Sequence, residues 1–297
     1  MTVLEARREQ TRARYPDEEG YVERDGVKVF YEVYGEREPT VLLLPTWSIL
    51  HSRHWKMQIP YFARHFRVVA FDGRGNGKAD RPSGIGAYTE HEFAADSLAV
   101  MDATGTETAV LVGLSCGALW GALLAANHSD RVLGGVFICP SVPLAPGHPE
   151  RDVHSFEDRL DTEDGWAKYN RHYWLEHYEE FLEFFFGRMF TERHSTKQIE
   201  DAVGWGLEIA PETLIESHEA LELCGSERFS HVCARVRCPV LVLHGDEDAL
   251  HPLARGAALA GATGGRLVTL EGSGHCPHVR DPVKVNLLIR DFVESVA

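Results

Sequence analysis

Six short runs of apolar residues punctuate the chain: TVLLLPT at 40–46, FRVVAFD at 66–72, TAVLVGLS at 108–115, RVLGGVFIC at 131–139, PVLVLHGD at 239–246 and GRLVTLEG at 265–272. They are nearly continuous rather than alternating, so each predicts a strand buried on both faces, as in a parallel sheet covered by helices. Ahead of them, YVERDGVKVFYEVYG sets Asp25-Gly26 between two segments rich in Val, Tyr and Phe, the pattern of a β-hairpin. Between most of the runs lie stretches with helical spacing, at 90–103, 116–127, 253–261 and 282–295. In the last, Val285, Leu288, Ile289 and Phe292 recur at offsets of three, four and seven, one face of a helix. Strand and helix alternate, which predicts an α/β fold: a mostly parallel eight-stranded sheet flanked by helices.

One segment breaks the rhythm. From 143 to 231 no buried strand is legible, and helical stretches carry Trp166, Tyr169, Tyr173, Trp174, Tyr178, Phe181, Phe184, Phe185, Phe186 and Phe190. The interval is far longer than an ordinary connection. It predicts a helical cap inserted over one end of the sheet, with most of these rings packing the insertion onto the core. The expected organisation is an N-terminal arm at 1–19, a core formed by 20–142 and 232–297, and the cap at 143–231. The arm, a short charged helix or a loose extension, is assigned no chemistry.

With 44% apolar and 25% charged residues, the 297-residue chain has ordinary globular proportions. Thirty basic against 45 acidic side chains leave a formal charge of −15, which argues against nucleic acid or an anionic membrane as partner. No apolar stretch approaches the roughly 20 residues that span a bilayer. The charged N-terminus, MTVLEARREQTRARYPDEEG, lacks the apolar core of a signal peptide. The six cysteines form no CxxC pair or compact disulfide framework, so a reducing, cytoplasmic setting is expected. No HExxH occurs and the histidines scatter without ligand spacing, so no metal is expected. DGRGNGKA is not a phosphate-binding loop, because Gly is missing at 72 and Ser or Thr at 79. Asn127-His128-Ser129 matches a glycosylation acceptor, which has no meaning without export.

The sharpest chemical signal is Gly113-Leu114-Ser115-Cys116-Gly117, between an apolar strand and a small-residue helix. This G-x-S-x-G pattern is that of a nucleophile elbow. The chain turns abruptly from strand to helix, small residues are needed where backbones approach, and Ser115 projects its hydroxyl at a helix N-terminus. A serine hydroxyl needs a base, and the base needs an orienting acid. Among sixteen histidines, His275 in the Gly-rich loop GSGHCPHVRDP is best placed, with His278 the weaker alternative. For the acid, Asp246, Glu247 and Asp248 compete in HGDEDALHP. Asp246 directly follows Gly245 and would brace the turn, whereas Asp248 has better reach. The oxyanion needs fixed donors, and the N–H of Cys116 is one. Cys116 and Cys276 each follow a proposed catalytic residue, so modification of either thiol would inhibit unless both are inert packing residues.

The chain resembles α/β-hydrolase-fold serine hydrolases over residues 20–142 and 232–297. The resemblance rests on the GLSCG elbow, on FDGRGNGKADRP at 71–82, on HGDEDALHP, and on GSGHCPHVRDPVKVNLLIRDF. In the second of these Ala79 stands at the usual serine position, and Asp72 and Arg74 are taken as structural. The order Ser…Asp…His is that of this family. The resemblance implies a second oxyanion donor after the 40–46 strand. There the usual His-Gly is replaced by Leu44-Pro45-Thr46-Trp47. Pro45 has no N–H, so the match falls on the N–H of Trp47, whose indole would narrow the acyl pocket. The residues and the resemblance together imply a cofactor-independent hydrolase in which Ser115, Asp248 and His275 cleave a carboxylic ester or lactone. The aromatic cap adds that the small-molecule substrate has an apolar portion, and a monomer or homodimer is expected. A carbon–carbon bond hydrolase on the same triad, a perhydrolase, a thioesterase or a non-catalytic small-molecule receptor are the alternatives. A serine at the elbow argues against haloalkane and epoxide chemistry, where aspartate attacks.

Overall fold

Asp25 and Gly26 both take positive φ, 51° and 78°, the pair of left-handed residues that a two-residue I′ turn requires. The turn joins β1 (Glu18–Arg24) to β2 (Val27–Tyr34) in antiparallel register, Arg24 opposite Val27. The computed structural model describes residues 14–221 and 225–297. Most of the expected N-terminal arm therefore lies outside the described residues, and its last two positions, Glu18 and Glu19, open β1. The sheet continues through β3 (Thr40–Leu43), β4 (Arg67–Asp72), β5 (Ala109–Leu114), β6 (Val132–Ile138), β7 (Val240–Gly245) and β8 (Arg266–Leu270). Its order is β1-β2-β4-β3-β5-β6-β7-β8, with every pairing from β4 to β8 parallel. The inner strands are buried along their whole length, which is why their sequences are continuous apolar runs.

Helices occupy Glu90–Ala103, Cys116–Asn127, Leu253–Thr263 and Pro282–Val296. The last buries Val285, Ile289 and Val293, and leans Leu288 and Phe292 on the same core. Phe93 and Trp120 stack in parallel at 3.7 Å, tying two of these helices together. Between β6 and β7 the described residues form helices at Arg171–Glu176, Tyr178–Met189, Thr196–Gly206, Pro211–Leu221 and Ser226–Cys233, and no strand. Trp174, Phe181 and Phe186 are fully buried there, and Trp174 stacks on Phe181 at 4.4 Å. Most of the aromatics therefore seal the segment. Trp47, from the loop after β3, reaches into them: its ring lies 5.9 Å from Trp174 and 5.6 Å from Phe185, and its Nε1 donates to Ser217 Oγ at 2.9 Å. No helix among the described residues is long and apolar enough to cross a membrane.

Several histidines are interior. His54 Nδ1 lies 3.2 Å from His278 Nε2, and burial together with its histidine neighbours holds His54 far below the usual histidine range. Burial brings His278 and His218 down to about 3, helped by the charges of His275 and Arg151 respectively. Burial, His275 and Arg151 also push His251 well down. In the unfolded chain all four take up protons below about pH 6.5, while the fold excludes them to well below that, to about pH 3 for His218 and His278. Stability therefore rises with pH through this window and is lost as pH falls, by up to about 1.4 kcal/mol per pH unit for each histidine. Denaturant unfolding at pH 7.5, 6 and 5 is expected to show a falling free energy, with net uptake of more than about two protons on unfolding at pH 5. A flat profile would mean that these rings are charged in the fold.

Candidate active site

β5 ends at Leu114 and the next helix begins at Cys116, leaving Ser115 to make the whole turn at φ 54° and ψ −115°. A non-glycine residue held there stores strain of order 1–3 kcal/mol. The surroundings enforce it: Ser115 N–H donates to Ile138 O at 2.9 Å, and Ser115 O accepts from Ala118 and Ser141 N–H, both at 3.1 Å. A Cβ on Gly113 would fall 2.5 Å from Gly117 O, and one on Gly117 would fall 2.4 Å from Pro45 O. Both clashes are with backbone, which cannot swing aside. Gly117→Ala is accordingly expected to cost about 2–3 kcal/mol in denaturant unfolding and to displace the Pro45–Trp47 turn. A loss below about 0.5 kcal/mol would mean that this gap opens freely.

The acid loop sorts its three carboxylates by what each does. Asp246 Oδ1 accepts the Gly272 N–H at 2.7 Å and so braces the turn, and the Glu247 side chain is exposed. Asp248 is buried. Its Oδ1 accepts the N–H groups of Leu250 and His251 at 2.8 and 3.0 Å, and its Oδ2 lies 2.8 Å from His275 Nδ1. His244 Nε2 stands 3.4 Å from the same Oδ2. Burial alone would raise the Asp248 pKa. The charge of His275, hydrogen bonds from His244 and His275, and the charge of His251 outweigh it and hold the carboxyl well below its ordinary range. An ionised carboxylate only accepts, so the proton of neutral His275 sits on Nδ1 and Nε2 carries the free lone pair. That Nε2 is buried and has no hydrogen-bond partner among the described residues.

The loop bearing His275 is pinned from two sides. His275 N–H donates to Met189 O at 3.2 Å, and Gly274 N–H donates to Glu192 Oε1 at 2.9 Å, both acceptors coming from the helical segment. On the sheet side, Cys139 Sγ lies 3.8 Å from Gly274 O, directly after the Ile138 carbonyl that holds Ser115. Ser115 and His275 thus flank one strand end. No hydrogen bond joins Ser115 Oγ to His275 Nε2, and such bonds commonly tighten only with substrate in place. The His278 ring faces His54 and Trp55 instead.

Asp72 and Arg74 serve the scaffold. Asp72 accepts the N–H groups of Ser52 and Lys78 at 3.0 and 2.9 Å, and Arg74 forks onto Asp96 at 2.7 and 2.8 Å. The N–H of Trp47 and that of Cys116 are engaged by no backbone carbonyl among the described residues. The Trp47 N–H faces Cys116, where it favours the thiolate along with the Ser141 and Ser115 hydroxyls. Burial outweighs these donors and pushes Cys116 up to about 11; burial, Asp248 and Glu192 raise Cys276 well above its ordinary value. Both thiols are protonated at neutral pH and poor targets for alkylation.

Cys139, His244 and Asp248 place one potential metal-ligand atom each within 4.8 Å of one another. The set is already committed: His244 Nε2 donates to His251 O at 3.0 Å, Asp248 Oδ2 accepts from His275, and burial raises the Cys139 thiol well above its ordinary value. Four residues here were not singled out by their sequence setting. His244 and His251 lie in the LVLHGDEDALHP run and could have been found there, whereas Arg151, whose charge acts on His251, and Arg255, whose Nη1 lies 3.1 Å from His251 Nδ1, carry no local signal.

A family model described as alpha/beta hydrolase fold matches residues 39–282. A 147-residue stretch is 34% identical to epoxide hydrolase A of Mycobacterium tuberculosis, spanning 48% of this chain and 44% of that protein. The bifunctional esterase/perhydrolase DCH of Acinetobacter calcoaceticus is 26% identical over 294 residues, covering 93% of this chain and all of that protein (100%). Among solved structures, that of the N-acyl homoserine lactone degrading enzyme Est816 superposes with a TM-score of 0.75 at 25% identity, over 92% of this chain and 100% of that one.

Proposed function

The chain belongs to the α/β-hydrolase fold family, and from that premise we propose that it is a serine hydrolase of carboxylic esters or lactones with an apolar portion, working through an acyl-enzyme. His275 Nε2 takes the proton of Ser115 Oγ as the oxygen bonds to the carbonyl carbon. The carbonyl oxygen becomes an oxyanion, received by the N–H groups of Cys116 and Trp47. Collapse breaks the acyl C–O bond, and the His275 Nε2 proton passes to the leaving alkoxide. Water then repeats the sequence on the acyl-enzyme and frees Ser115. Asp248 keeps the proton on His275 Nδ1 and stabilises the imidazolium between these steps.

One observation carries this reading. A buried imidazole is fixed through Nδ1 by an ionised carboxylate, its Nε2 is left without a partner, and its loop meets Cys139 next to the Ile138 carbonyl that holds the strained Ser115. Burying an unpaired polar atom is costly, and a reacting proton is what would occupy it. The 143–231 segment would act as the cap, and the rings gathered around Trp47 would supply an apolar wall for the acyl or alcohol group. The named activities of the DCH and Est816 relatives point to the same bond types. The substrate is a small molecule and no cofactor takes part. A fluorophosphonate probe, followed by peptide mass spectrometry, should label Ser115, and a panel of p-nitrophenyl esters, lactones and β-diketones should show turnover of the first two classes. Labelling elsewhere, or turnover confined to diketones, would overturn the proposal.

A further inference from the structure

Arg151 and Arg255 are far apart in the chain but meet beside the acid loop. Arg151 Nη1 donates to Leu250 O at 2.7 Å, and its guanidinium lies over the rings of Trp166 and Tyr169, at 4.9 and 5.3 Å from their centroids. Arg255 Nε donates to Ala145 O at 3.2 Å, and its Nη1 lies 3.1 Å from His251 Nδ1. Since a guanidinium cannot accept, Nδ1 of neutral His251 is the acceptor. The His251 ring in turn stands 5.2 Å from the ring of His275. The charge of Arg151 reaches Cys116, the residue after Ser115, and Cys116 and Arg255 act on each other in the same way. Arg255 therefore lies one side chain from the proposed base, and Arg151 holds the adjoining Leu250 carbonyl of the same loop.

Arg67 and Arg81 spend their donors on hydroxyls and carbonyls, three bonds each, whereas several other arginines pair with acids. Arg53, Arg74 and Arg131 each face a carboxylate at 2.7–2.8 Å. Among the described residues, no carboxylate comes within ion-pair distance of Arg151 or Arg255, in a chain with 45 acidic residues and a formal charge of −15. Asp152 and Asp248 act on Arg255 only through their charge. Each guanidinium has five N–H donors; protein acceptors take one from Arg151 and two from Arg255. Both side chains are half-buried, and burial together with the Arg151 charge lowers the pKa of Arg255. Two like charges stand close together at a partly buried position with most of their donors open to the site, an arrangement that a carboxylate would complement.

We infer that Arg151 and Arg255 form a subsite for a carboxylate carried by the substrate, so that the ester or lactone cleaved is that of an acidic molecule. This rests on the proposed hydrolase activity and narrows it. One end of the substrate would lie among the rings around Trp47, and the carboxylate would lie at the arginine pair.

The test compares mono-4-nitrophenyl glutarate with the uncharged 4-nitrophenyl pentanoate, and 2-acetoxybenzoate with phenyl acetate, so that the carboxylate sits on the acyl side in one pair and on the leaving group in the other. In the wild type, kcat/KM is expected to favour the charged member of at least one pair by about tenfold or more. Salt raised from 50 to 500 mM should erode that ratio. In Arg151→Gln and Arg255→Gln the ratio should fall towards one, with Arg255→Lys in between because charge persists without the fork. Calorimetric titration of glutarate into Ser115→Ala reads the subsite without chemistry, and either added glutamine substitution should weaken it about tenfold or more. Ester turnover with no charge preference and no arginine-dependent glutarate binding would overturn the subsite and leave the hydrolase reading standing. Arginine-dependent glutarate binding with no turnover of any ester would do the reverse. Neither binding nor turnover would overturn both.

Discussion

Ser115→Ala is expected to lower kcat on any ester or lactone substrate by about 10⁴-fold or more, because nucleophile, base and acid act as a unit and the residual rate comes only from binding and the oxyanion donors. The substitution removes one oxygen and leaves the turn in place. Alanine would still have to adopt φ near 54°, held there by the Ile138 carbonyl and the Ser141 N–H. The fold should therefore melt within a few degrees of the wild type, so that loss of activity and loss of structure separate cleanly. Steady-state turnover, with a probe-labelling control against contaminating hydrolase, is the measurement. A variant that keeps more than about a tenth of the wild-type kcat would show that Ser115 is not the nucleophile.

Asp248→Asn tests the other end of the relay through a proton rather than a bond. The amide would keep an acceptor oxygen for the Leu250 and His251 N–H groups, which now bond Asp248 Oδ1. Its NH₂ would then face His275 Nδ1, where the carboxylate oxygen now accepts at 2.8 Å. Two donors cannot share that contact, so the imidazole would move its proton to Nε2 and present a hydrogen to Ser115 where a lone pair is needed. A loss of about 10⁴-fold in kcat near neutral pH is expected, with the overall fold retained. The tautomer is directly observable: ¹⁵N chemical shifts of His275 should exchange the protonated and bare nitrogens between wild type and variant. An unchanged ¹⁵N pattern would sink the tautomer account even if activity fell.

Parts of this arrangement are local, and local features are readable. The Asp25-Gly26 turn follows from two residues that tolerate positive φ, and the helix at Pro282–Val296 follows from the spacing of Val285, Leu288, Ile289 and Phe292. The observed helix at Leu253–Thr263 runs two residues past the expected end, until Gly264 takes the left-handed conformation that stops it. The elbow glycines are readable for the same reason: the tight turn is written in residues 113–117. Strand neighbours are not local. Nothing in the runs at 40–46 and 66–72 says that β3 lies between β4 and β5, because two continuous apolar runs satisfy either order equally well.

Chain chemistry alone thus determined which residue types were available and where the backbone had to turn: the alternating strands and helices, the elbow at Ser115, and a loop with three competing carboxylates. Only the folded molecule decided among those carboxylates, by giving Asp246 a backbone N–H, leaving Glu247 in water and burying Asp248 against His275. It also decided that the charges of Arg151 and Arg255 act on each other with no carboxylate paired to either among the described residues. The division has one physical source. Turn geometry and periodicity act over a few residues, whereas desolvation and charge pairing depend on which distant segments the packing brings together.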